Sequence, residues 1–335
     1  MITSRLIILC VLISTFVFQT SFASEIDSVT PRDLELDNSL VSINKIFNQR
    51  IQEGIQKANA RLDDTDNLEG DEFCDEEILY TELRKAIFQS FTASWGFKGY
   101  ALDQQLRSLL TSKSYSLALE DSIYRDISYI EGFSLNLKKL SDVVNINGHL
   151  IGLDKVVLFF GEGWQYFELT EKGNNIDQAL SWGEEQEAGK FGYTTTGIFS
   201  SADLVANFNG WRFWNKVLNK DNDPLKGWFA ALFNRPYVTC DIQVISSIKS
   251  RKTVKAWESN TRFDLADYID GAWDEGNNCS SYADSNIEEK VTARIHNVNP
   301  NFNCSYVAGE CVAAQKKYGA YAKEVLHPQC LNETN

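Results

Sequence analysis

Four of the chain's seven cysteines, Cys279, Cys304, Cys311 and Cys330, crowd toward its C-terminal end. Cys74 and Cys240 stand far apart upstream, and Cys10 lies in an apolar run near the start. The place of Cys10 decides how the others are read. Arg5 precedes an apolar run from Leu6 to Phe18, which gives way to Gln19, Thr20, Ser21, Phe22 and Ala23. A basic start, a short hydrophobic middle and small residues at −3 and −1 of a cut after Ala23 make residues 1–23 a cleavable signal peptide. The run is shorter than the roughly 20 residues a spanning helix needs. No later stretch is apolar enough to span, so no transmembrane anchor is expected once the leader is gone. The protein is expected to be secreted or periplasmic. The six remaining cysteines form an even set in an exported chain and are disulfide candidates, with their pairing left open. There is no C-x-x-C, and His149, His296 and His327 show no zinc-ligand spacing with them, so no metal site is expected.

A hydrophobic fraction of 43% with 12% aromatics can bury a substantial core. The formal net charge of −14 disfavours nucleic acid and anionic lipid as partners. There is no G-x-S-x-G for a nucleophilic triad and no phosphate-cradling glycine loop, so nucleotide cofactors are not expected.

Apolar residues at Leu40, Ile43, Phe47, Ile51, Ile55, Ala58 and Leu62 repeat with a helical period and predict an N-terminal helix over 39–62. The acidic stretch from Asp63 to Glu77 fits no calcium-loop register and reads as a solvated linker. A mainly helical region follows. Ile78, Leu79, Leu83, Ile87 and Phe91 share one face, and Leu117, Leu119, Ile123, Ile127 and Ile130 suggest a shorter helix. Val156 to Phe167 is apolar nearly all round, as a central buried helix would be. Ile176 to Glu187 is a further helix, and Gly192 to Phe199 is β-prone. Ser200 with Asp203 offers a cap for a helix from Ala202 to Leu218. Strands are expected at Tyr237–Ile248 and Thr253–Trp257, with a short helix from Asp264 to Trp273. The expected fold is mainly α with a small β element (α+β): a multi-helix domain with a disulfide-stapled C-terminal extension. Its divisions are 1–23 signal peptide, 24–72 N-terminal helix and acidic linker, 73–275 main helical domain, and 276–335 Cys-rich extension.

Chemistry concentrates between residues 148 and 214. Gly152, Asp154, Lys155, Phe159 and Phe160 are followed by Ala179, Leu180, Gly183 and Glu187. Thr195, Thr196, Gly197, Ser200, Ala202, Asp203, Leu204, Ala206, Asn207, Gly210, Phe213 and Trp214 come next, and Ala272 to Gly276 with Asn278, Cys279 and Ser280 later. Over about residues 75–280 this pattern resembles a family of secreted bacterial proteins sharing DK-x-x-HFF, TTG-x-x-S-x-ADL-x-AN and AWDEG-x-NCS. The histidine of the first motif is Leu158 here, so any role for that imidazole is absent.

Gly192-Tyr193-Thr194-Thr195-Thr196-Gly197-Ile198 also resembles the G-Y-x-T-x-G-I hairpin of phage-type lysozymes. There the hairpin follows a helix that ends in the catalytic Glu, and the Thr places the attacking water. That resemblance implies Glu187 as the acid, with Glu184 beside it and Thr195 or Thr196 positioning water. No Asp lies between Glu187 and Thr195, so the second carboxylate expected there is missing. Glycoside cleavage needs a carboxylic acid whose pKa is raised by apolar walls. Trp182 and Tyr193 could supply such walls and, with Glu162, contact substrate. Glu162 has a competing role as an ion-pair partner inside an apolar helix, and Glu184, Glu185 and Glu187 could instead form a solvated helix end. Trp211, Phe213, Trp214, Trp228 and Phe229 read either as a sugar-stacking platform or as core. The expected function is a secreted lysozyme-like glycan hydrolase acting on cell-wall peptidoglycan, including its de-acetylated form. The alternative is a non-catalytic periplasmic binding or envelope-structure protein.

Overall fold

The structure, a computed structural model, describes residues 25–63, 74–89, 100–137, 139–227, 234–246 and 251–333. The expected leader, most of the expected acidic linker, Phe91, Trp228 and Phe229 lie outside the described residues.

The fold is mainly α with short strands. Helix α1 (Leu40–Asp63) leads to α2 (Glu76–Arg84), whose N-cap Asp75 accepts a hydrogen bond from the Ile78 amide and which runs on into a π turn over Lys85–Gln89. After α3 (Tyr100–Leu110) come β1 (Ser114–Tyr115), α4 (Phe133–Leu137), β2 (Val143–Ile146) and β3 (His149–Gly152). The three strands form one antiparallel sheet in that order. Helix α5 (Leu153–Glu171) follows β3 directly, and α6 (Ile176–Gln186) starts at an Asn175/Gln178 capping box. A π turn over Glu187–Phe191 extends α6, and β4 (Ile198–Ser200) delivers the chain into α7 (Ser201–Leu218). Strands β5 (Val238–Ser246) and β6 (Arg251–Ser259) make a hairpin, and β7 (Ser280–Tyr282) pairs with β4. Helices α8 (Ser285–Val298), α9 (Glu310–Tyr318), α10 (Ala322–Val325) and α11 (Pro328–Asn332) close the molecule.

Two helices form the centre. Helix α5 is buried on nearly every side, as its continuous apolar composition requires, and α7 is buried just as completely. They touch backbone to backbone. A Cβ added at Gly163 would lie 2.5 Å from the Gly210 Cα, and one at Gly210 would lie 1.9 Å from the Phe159 carbonyl oxygen. Only glycine permits that approach. Around the crossing, Phe47, Phe159, Phe160, Phe213, Phe263, Tyr268 and Trp273 interlock. Each fully buried ring of this kind contributes about 1.5–3 kcal/mol relative to exposure. Trp211, Phe213 and Trp214 are core residues of this cluster, with the Trp214 Nε1 donating to the Phe160 carbonyl at 3.0 Å, and do not form a stacking platform.

Two expected helices take other forms. Leu117–Ile130 contains a single 3₁₀ turn at Leu119–Asp121, and Ile130 is exposed. Its apolar residues pack as a loop, with Ile123 and Ile127 joining Ile287, Val291 and Ile295 of α8. Asp264–Trp273 is two 3₁₀ turns, because Asp264 and Asp270 each bind the backbone amide two residues ahead. That local bond competes with α-helix. All six cysteines pair: Cys74–Cys240, Cys279–Cys304 and Cys311–Cys330. The first ties the β5–β6 hairpin to the start of α2. Cys311, Ala314, Tyr318, Val325 and Cys330 lie in the same core as α5 and α7.

Candidate functional site: a buried lysine among five carboxyls

The N-termini of α5 and α7 converge, and their first turns carry Asp154, Lys155 and Asp203. Acids are favoured there by the helix dipoles. Lys155 is wholly buried, and its Nζ stands 2.8 Å from Asp154 Oδ2, 2.5 Å from Asp203 Oδ1 and 2.6 Å from Glu275 Oε1. The β4–β7 pairing sets Ser200 opposite Ser280 and so brings the Asp274–Cys279 loop against α7. Ser200 Oγ donates to Glu275 Oε1 at 2.8 Å while accepting from the Asp203 amide at 3.4 Å. The Ser200 hydroxyl is therefore both helix cap and cluster member, more than the sequence assigned to it. Asp203 likewise does more than complete a cap.

Two further carboxyls border this group. Glu187, in the π turn after α6, accepts from the Ser200 amide at 3.1 Å. Glu25, near the start of the described chain, bonds to the Thr196 hydroxyl. Glu25, Asp154, Glu187, Asp203 and Glu275 are each at most 7% exposed. Burial holds Glu187 well above the usual carboxylate range, reinforced by Asp203 and Glu25. Burial also raises Glu25 strongly, with Glu275 and Asp203 adding to it. Glu275 is pushed up to about 7 by burial against the opposing pull of Lys155, and Asp203 is raised in the same way. Burial works to lower Lys155, but Asp154, Asp203 and Glu275 outweigh it and keep the ammonium charged. Among the described residues no group of His, Cys, Asp and Glu is arranged to hold a metal ion. The lysine ammonium fills the centre of the acid cluster.

Of the residues singled out by sequence, Glu187 and Thr196 meet at this cluster. Thr195 does not stand out there: its hydroxyl donates to the Gly192 carbonyl at 3.3 Å, and its own carbonyl accepts from Ser134 at 2.9 Å. Glu184 is exposed. Trp182 packs edge-on to Tyr166, and Tyr193 lies against Phe199. Glu162 is buried farther along α5, and the pairing of Lys155 is with Asp154, Asp203 and Glu275. Glu187 is not part of a solvated helix end. Asp154, Lys155 and Glu275 appeared in the sequence as motif residues without a role, and Asp203 only as part of a cap. The signal was a lysine at the head of an otherwise apolar helix. Glu25 carried no signal.

The motif glycines and the N-terminal segment serve the same place. A Cβ at Gly152 would fall 2.1 Å from Asp154 Oδ1 and 2.3 Å from the Ile26 side chain. Arg32 grips Asp274 through two 2.7 Å bonds, and a Cβ at Gly276 would strike that guanidinium. Comparisons with protein-family models, curated proteins and solved structures find no match for the chain.

Proposed function

We propose that this protein is an exported glycan hydrolase working by acid–base chemistry, with Glu187 as the proton donor. The observation that carries the reading is the state of that one side chain. Among the described residues Glu187 makes no ion pair, it is buried, and burial beside Asp203 and Glu25 keeps it protonated where most carboxyls are charged. A general acid for glycoside cleavage needs this condition. Asp203, paired with Lys155, is the second carboxylate that such a reaction requires. Thr196 takes the place that the hairpin resemblance gave to Thr195 or Thr196. The substrate is cell-wall peptidoglycan, and an acidic surface suits its de-acetylated, more cationic form.

The test is digestion of native and de-acetylated cell wall by wild type and Glu187→Gln. The substitution keeps the shape and removes the proton donor, so hydrolysis should fall by about 10²–10⁴-fold. Folded stability at neutral pH should hold or rise, because a buried titrating group has been neutralised. Undiminished hydrolysis by the variant ends the assignment. The full burial of Lys155 and its three partners favours a second reading, in which the cluster is the structural centre of a non-catalytic envelope protein. Unfolding of Glu187→Gln, with no digestion by wild type, would support that reading.

A further inference from the structure

The proton donor of the proposed hydrolase lies where a polymer cannot touch it. Glu187 is 5% exposed, and the loop 192–197 lies over it. A Cβ added at Gly192 would fall 3.0 Å from Glu187 Oε1 and 2.4 Å from the Ile198 carbonyl oxygen, so bare backbone forms the cover. The loop also carries Thr196, whose hydroxyl meets Glu25. It holds its own shape: the amides of Thr195, Thr196 and Gly197 all donate to the Gly192 carbonyl, at 3.0, 2.9 and 3.3 Å. It ends at Gly197, whose φ of +80° belongs to the left-handed region that glycine enters freely. A unit of this kind can swing about its ends without losing its internal bonds.

A second segment, the turn 128–134, presses on this loop. The Ser134 amide donates to the Thr195 carbonyl at 2.9 Å, and a Cβ at Gly132 would lie 2.5 Å from the Thr196 carbonyl oxygen. The turn is in turn clamped to α8. Glu131 receives the Lys290 ammonium on both oxygens, at 2.7 and 2.8 Å, together with the Asn286 side-chain amide and the Ser128 backbone amide. Bonds from Lys290 and Ser128 hold Glu131 low enough to keep this clamp ionised at neutral pH. We propose that the loop 192–197 is a lid over Glu187, held shut by the turn 128–134 through a Glu131–Lys290 latch, and that substrate reaches the acid when the latch releases. The proposal deepens the reading of Glu187 as proton donor and rests on it.

The test follows the opening itself, on the intact protein. The Ser200 amide, which donates to Glu187 Oε1, is the reporter, and the amides of Phe208 and Phe213 farther along α7 are internal controls. Glu131→Ala removes the latch from the turn, and Lys290→Met removes it from α8. Each should speed hydrogen exchange at Ser200 by about 3–10-fold and leave Phe208 and Phe213 as in wild type. Labelling of Glu187 by a water-soluble carbodiimide and an amine, read by peptide mass spectrometry, should rise in step. A pair that merely supports the fold would speed all three amides together. That result, or unchanged exchange and labelling in both variants, overturns the inference. None of these readouts depends on hydrolysis. If the latch variants open the lid but Glu187→Gln digests cell wall undiminished, the lid stands and the acid assignment falls; if Glu187→Gln loses hydrolysis and the latch variants change nothing, the reverse holds.

Discussion

Lys155 lies where two helix starts meet, and its stem is as buried as its charge. Changing it to Met keeps most of the volume and removes the cation that pairs with Asp154, Asp203 and Glu275. Loss of one partner from a buried ion pair costs about 3–5 kcal/mol, mainly because the other partner is left charged and unpaired. The cost should depend on pH. The abandoned carboxyls can take up protons in mild acid, so Lys155→Met should be far more harmful at pH 8 than at pH 5. Chemical denaturation at both values checks this, and an equal loss at both would show that the lysine acts through packing. The sequence placed Lys155 in a motif and named no partner for it. The true partners are one residue, 48 residues and 120 residues away, a constellation that no local period encodes.

Helices with a continuous apolar composition or a clear cap were legible, and α5, α6 and α7 fall close to their expected bounds. Segments whose apolar residues happened to share a helical spacing were not. Ile123 and Ile127 are spaced for a helix, yet the amide of Ile123 is claimed by Asp27 and the chain bends to meet α8. The α5–α7 crossing was half legible: both helices could be expected, while their contact rests on Gly210, which looked like an ordinary motif glycine, and on Gly163, which was not singled out. Gly210→Ala should force the helices apart, since the new Cβ would meet a backbone oxygen that cannot rotate away. Overpacking of this kind costs about 1–3 kcal/mol or more. Denaturant titration checks it, and a stability within experimental error of wild type would show that the crossing is looser than described.

For the whole molecule, the acid cluster should set the pH dependence of stability. Burial raises Glu187, Glu25, Asp203 and Glu275 above their ordinary values, Glu275 to about 7. Between the unfolded carboxyl value of about 4.3 and about 7, the folded chain holds more protons than the unfolded one. Stability is therefore fully present below that window and is lost as pH rises through it. Surface acids act in the opposite sense but at lower pH: hydrogen bonds from Lys290 and Ser128 hold Glu131 down at about 2. The melting temperature should be higher near pH 5 than at pH 8, as calorimetry can show. A flat or rising profile over that interval would mean that the cluster is wetter than its burial indicates.

The grip of Arg32 on Asp274 joins residues 242 apart in the chain. A polypeptide that emerges N-terminus first, from a ribosome or an export channel, presents the arginine long before the aspartate exists to receive it. At roughly 5–20 residues per second the interval during synthesis is on the order of 12–50 s. Glu25 waits for the same distant stretch, since Glu275 is one of the groups around it, so this segment is not fully enclosed until the far end has been made. Until then the carboxyls of Glu25 and Asp27 keep more of their water, and the closing of the far end over them is the step that removes it.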